Sequence, residues 1–103
     1  MTYFEICTSK YEEDIKLIQV ALTKMEAICN VATGFNFGEP TSRFGWTFLQ
    51  LYLDQELCIG IEDRFSGMIK KCKGYKPDEK FTNFLSQYFE SSGCNVKVKM
   101  IKD

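Results

Sequence analysis

The chain has no histidine among its 103 residues, and its five cysteines never stand closer than fourteen positions apart. Without histidine, no side chain titrates unperturbed between about pH 5 and 8. Ser-His and Cys-His nucleophile pairs are excluded as well. The scattered cysteines lack the paired spacing of zinc sites, and no glycine-rich loop stands ready to cradle a phosphate. Only two prolines interrupt the chain. No apolar run approaches the roughly 18–20 residues of a membrane span. Met1-Thr2-Tyr3-Phe4-Glu5 lacks the basic and apolar stretches of a secretory signal. These absences lead us to expect a cytoplasmic chain with no membrane association, no catalytic residues, no cofactor and no metal.

What is present is ordinary globular composition, 45% hydrophobic and 26% charged, which argues against disorder. A chain of this size folds as one domain, residues 1–103. Net charge is −1, but residues 1–63 hold ten acids and four bases while residues 64–103 hold four acids and nine bases. That split fits either separate acidic and basic surfaces or a mixed solvated surface whose halves interleave in space. Cys29 and Cys58 lie in apolar periodic segments, as reduced structural thiols do. Cys72, between Lys70, Lys71 and Lys73, is the one candidate reactive thiol.

Alternation predicts a strand over Tyr3–Cys7, with Phe4 and Ile6 on one side. Ser9 and Glu12 have the spacing of a capping box. Tyr11, Ile15, Ile18, Leu22, Met25, Cys29 and Ala32 then mark a long amphipathic helix ending near Gly34. Gly34–Gly45 reads as an irregular loop whose Phe35, Phe37 and Phe44 either complete the core or serve a function. Trp46–Leu53 is apolar on both parities, the pattern of a strand covered on both faces. Asp54-Gln55 reads as a tight turn and Leu57–Ile61 as the return strand, with one helix over 46–60 as the competing reading. Asp63 is placed to cap a short helix carrying Phe65, Met68, Ile69 and Cys72, stopped at Gly74. Pro77 opens another, with Phe81, Phe84, Leu85, Tyr88 and Phe89 as its stripe and Ser92-Gly93 as its end. Val96, Val98 and Met100 alternate with Lys97, Lys99 and Lys102 in a closing strand.

The expected class is α+β: a small four-stranded, mostly antiparallel sheet with helices on one face, in the order β-α-β-β-α-α-β. That order fits the split β-α-β arrangement of ferredoxin-like folds.

Carboxylates are the only acid/base groups left, and they stand in turns and at helix starts, where acids serve structure. The basic segment 70–76 and the lysines of the last strand invite a nucleic-acid reading. An acidic pI near 5.5 and the absence of a glycine-aromatic RNA-binding strand signature argue against direct nucleic-acid binding. That leaves a protein-binding module. The candidate contact residues are Glu39, Arg43, Phe44, Trp46, Asp54, Glu56, Glu62 and Asp63, acids framing aromatics for a basic partner. In size, acidic surface and the apolar strand Trp46–Leu53 with its hairpin, the chain resembles the small cytoplasmic α+β immunity proteins that bacteria carry against toxin nucleases. The resemblance implies a non-enzymatic inhibitor that occludes the active site of a larger, basic toxin. A phage-type inhibitor of a host defence nuclease has the same physical logic. Two other readings stay open. One is a small-ligand site or enzyme using Cys72 or Glu62; the other is a scaffold that dimerises through Leu17, Ala21 and Ile28 of the first helix.

Overall fold

The computed structural model describes residues 2–101, so Lys102 of the expected last strand lies outside the described residues. Nine elements follow in order: β1 (Thr2–Thr8), α1 (Tyr11–Cys29), β2 (Phe35–Phe37), β3 (Thr41–Arg43), β4 (Trp46–Leu53), α2 (Gln55–Arg64), α3 (Ser66–Lys70), α4 (Pro77–Ser91) and β5 (Lys97–Ile101). The α+β class holds, with five strands in place of four. All pairings are antiparallel, in the order β2-β4-β1-β5, and β3 extends β2 along the same side of β4.

Because β1 and β2 each run antiparallel to β4, they are parallel to one another with β4 between them. The same holds for β4 and β5 about β1. Two interleaved split β-α-β units result, the arrangement expected from the element order. Residues of one parity, Phe4 and Ile6 of β1 with Leu49, Leu51 and Leu53 of β4, are fully buried beneath the helices. Ile18, Leu22 and Met25 of α1, Leu57 and Ile61 of α2, and Phe84, Leu85 and Phe89 of α4 meet them in one cluster. Phe81 of α4 stacks on Phe4 at 5.9 Å. Each such side chain contributes about 1.5–3 kcal/mol on leaving water.

The largest departure concerns residues 54–64. Leu57, Ile59 and Ile61 do not form a return strand; Leu57 and Ile61 are an i, i+4 pair facing the core, and Ile59 points outward, 57% exposed. Asp54 is the N-cap, its carboxylate accepting from the Gln55 N–H at 2.8 Å, so it ends a strand and starts a helix. Asp63 caps nothing and stands inside α2. Gly60 is tolerated because α2 crosses α1 closely there: a Cβ would come within 2.8 Å of the Cys29 Cβ.

The hairpin partner of β4 is supplied instead by the expected loop. Register slips by one residue between Phe37↔Leu51 and Thr41↔Phe48, a bulge at Gly38-Glu39-Pro40 where proline has no N–H to offer a ladder. Phe44-Gly45 closes the hairpin with φ of 53° and 80°, the two positive values a type I′ turn requires. Phe35 and Phe37 pack against the core, whereas Phe44 is 99% exposed.

Helix ends differ in detail. The expected Ser9 capping box is absent: Lys10 is the N-cap residue of α1, without a side-chain cap bond. The Thr8 hydroxyl accepts from the Lys10 N–H at 3.0 Å and donates to the buried Asp14 carboxylate. Asp14 also accepts from the Asn95 N–H at 3.4 Å, joining the end of β1, the start of α1 and the approach to β5. Helix α1 ends at Cys29, before Gly34, because Asn30 takes the left-handed position with φ 57°.

A phenylalanine with positive φ and an unpacked ring sacrifices stability, by about 1 kcal/mol relative to residues that accept that region. Phe44→Asn should therefore raise the melting temperature by on the order of 5 °C. Circular-dichroism melts check this; an unchanged or lower melting temperature would show that the ring packs or that the turn differs.

Candidate functional site

The sheet has a second face, and no described helix lies on it. Its residues form cross-strand rows: Arg43 beside Trp46; Thr41, Phe48, Cys7 and Lys97; Gln50, Glu5 and Lys99; Asn36, Tyr52, Tyr3 and Ile101. All are half-buried or exposed. The Arg43 guanidinium lies 5.4 Å from the centre of the Phe48 ring. Lys97 reaches across β1, over the small Cys7, to within 5.9 Å of the Trp46 ring. Tyr3 and Tyr52 meet edge to face at 4.8 Å, and the Tyr52 hydroxyl donates to the Gln50 Oε1 at 2.5 Å. Strand β4 is thus covered on one face only, not on both.

The expected contact residues fall into two groups. Arg43, Phe44 and Trp46 come together at the hairpin end of the sheet. Asp54 and Glu56 lie at the other end of β4, roughly 25 Å away along an eight-residue strand. Glu56, Ile59 and Asp63 share the outer stripe of α2, with Glu62 beside them; all four are exposed. Glu39 sits apart, exposed in the edge bulge. The eight residues are therefore not one surface. An acidic helix face surrounds the apolar Ile59, and a separate aromatic, basic sheet face ends in Phe44.

The expected contact surface leaves out Ile59, Tyr3 and Phe48, and the sequence reading weighs Lys97 and Lys99 only for nucleic-acid binding, which it then argues against. A signal was present in β4: its inner parity is Thr47, Leu49, Leu51, Leu53, while its outer parity is Trp46, Phe48, Gln50, Tyr52. The second set carries polar atoms that suit a wet surface.

Glu62 also borders an open groove of about 350 Å³ with Ile69, Tyr75, Lys80 and Phe81. The Lys80 ammonium there is occupied at the end of α3, donating to the carbonyls of Lys70 at 3.1 Å and Cys72 at 3.2 Å. Among the described residues no buried side-chain nitrogen or oxygen lacks a partner, and no three of Cys, Asp or Glu stand together as metal ligands would. Nor is any described helix long and apolar enough to cross a membrane. Of the residues offered for dimerisation, Ala21 is buried in the core, facing away from solvent; Leu17 and Ile28 are exposed.

All five cysteines are free. Cys72 is buried, its thiol donating to the Met68 carbonyl at 3.3 Å. Burial raises the Cys29 thiol, which the Arg64 guanidinium partly offsets and Asp63 reinforces. Burial, with a lesser contribution from the Asp14 carboxylate, pushes the Cys94 thiol up to about 11. A thiol raised on folding stabilises fully below its unfolded value of about 8.5, and that stability drains away as pH rises toward 11. Melting temperature should thus hold to about pH 8 and then fall, and Cys94→Ala should shrink the alkaline fall. An identical fall in the variant would remove Cys94 as a cause. Compared with known protein families, curated proteins and solved structures, the chain matches none.

Proposed function

We propose that the chain is a non-enzymatic inhibitor module that neutralises a larger, basic protein by covering its working surface. The reading is that of an immunity protein against a toxin nuclease, and a phage-type inhibitor of a host nuclease would use the same contacts. The observation that carries it is the outer face of α2: Ile59, 57% exposed, stands between Glu56 and Asp63 with Glu62 alongside. An apolar knob ringed by carboxylates has the anatomy of an interface anchor. The apolar group supplies desolvation at the centre, and the charges steer a cationic partner from a distance. The same residues do nothing for the fold's own core, since α2 is already anchored by Leu57 and Ile61.

The candidate reactive thiol favours binding over chemistry: Cys72 is buried, its thiol donating to the Met68 carbonyl. The proposed contact leaves out Arg43, Phe44 and Trp46, which lie at the far end of β4 beside Lys97.

Capture from the cell of origin with wild-type chain and with a Glu56→Lys/Glu62→Lys/Asp63→Lys variant as parallel baits tests the reading. The wild type should retain one basic protein whose enzymatic activity falls to nothing at one equivalent. The triple variant should lose it, and Ile59→Asp should weaken the complex at least tenfold, about 1.4 kcal/mol. Equal capture by wild type and triple variant, or a captured protein fully active when saturated, would contradict the proposal.

A further inference from the structure

We propose that the uncovered face of the sheet binds a single-stranded nucleic acid. Bases would stack on Trp46 and Phe48, with phosphates following Arg43 on one side and Lys97 and Lys99 on the other. This face is separate from the acidic stripe of α2, and neither reading requires the other.

Three features select this occupant. The first is the kind of apolar group exposed. The central strands β1 and β4 present rings, Trp46, Phe48, Tyr52 and Tyr3, and no leucine or valine. Rings on an open sheet stack flat bases of any sequence, here once the Arg43 and Lys97 head groups that lie over Phe48 and Trp46 swing aside toward phosphate. The second is the position of the cations. Each of the two rings nearest the hairpin has its own, Arg43 at 5.4 Å from Phe48 and Lys97 at 5.9 Å from Trp46. A nucleotide brings a ring and an anion together, and this surface repeats that pairing twice. The third is the polar fringe: Gln50, Asn36 and Thr41 lie in the same rows, in reach of base edges.

Overall acidity does not oppose the proposal. Charges act over about 8–10 Å at ordinary salt, and within the rows described Arg43, Lys97 and Lys99 outnumber the one carboxylate, Glu5. Lys99 stands directly across from Glu5 in register. Eight of the ten acids in residues 1–63 lie on α1, α2 and their approaches; besides Glu5, only Glu39, in the edge bulge, belongs to the sheet. A duplex is disfavoured on shape: its stacked bases are closed to these rings, and no described helix lies on this face to enter a groove.

Trp46 is the only tryptophan, so the site carries its own reporter. The purified chain would be titrated at low salt with oligouridylate and with oligodeoxythymidylate of about ten nucleotides. Saturable quenching of Trp46 fluorescence is expected. With about three phosphates neutralised, log affinity should fall against log salt with a slope near −2. Phe48→Ala and Lys97→Glu/Lys99→Glu should each weaken binding at least tenfold with unchanged circular dichroism. Preference for the RNA or the DNA strand identifies the source and supports the proposal either way. Absence of saturable quenching up to millimolar nucleotide would overturn it. So would equal binding of a blunt duplex, or undiminished binding by Lys97→Glu/Lys99→Glu. Equal quenching by polyglutamate of matching charge would also overturn it and assign the face to an acidic protein.

Discussion

Everything in this molecule depends on which parity of β1 and β4 the helices cover. A strand sends successive side chains to opposite faces, so one choice of register commits every residue of both strands. Phe4, Ile6, Leu49, Leu51 and Leu53 go beneath α1, α2 and α4 and become the core. Tyr3, Cys7, Trp46, Phe48 and Tyr52 are left without a covering layer. The inner set is purely apolar and branched or aromatic, and its burial is what holds the two split β-α-β units together. The buried Asp14 fixes the corner where they meet, tying Thr8 to Asn95 across most of the chain.

From that commitment two unlike surfaces follow. The helix layer turns the carboxylates of α2 outward around Ile59, while the sheet turns rings and cations outward. A net charge of −1 conceals both. The division seen along the sequence, acids early and bases late, is only partly a division in space. Arg43 comes from the acidic half, yet it joins Lys97 and Lys99 on the same face because β3 and β5 flank the central strands.

Much of the fold was legible in the chain, for local reasons. Helices α1 and α4 carry stripes too long and regular for another reading, and β1 and β5 alternate cleanly. What failed were places where local pattern is ambiguous and a distant contact decides. Leu57-x-Ile59-x-Ile61 satisfies a strand and, through Leu57 and Ile61, a helix. Gly60 argued against a helix, but the close passage of α2 over Cys29 is what uses the missing side chain. The hairpin of β3 and β4 was hidden because Phe44 occupies a turn position where asparagine or glycine would have announced it. The acids of α2 were recognised as surface residues, but their separation from Arg43 and Trp46 follows from the length of β4.

Accessibility of Trp46 tests the uncovered face most directly, since that ring is the sole indole and sits 40% exposed at the hairpin end of the sheet. Acrylamide quenching of the native chain, compared with the same chain unfolded in denaturant, reads its contact with water. The account predicts native quenching within about a factor of two or three of the unfolded value, consistent with a residue 40% exposed. A native indole that acrylamide hardly reaches would mean the face is covered by the chain itself or by a second copy, contradicting the account.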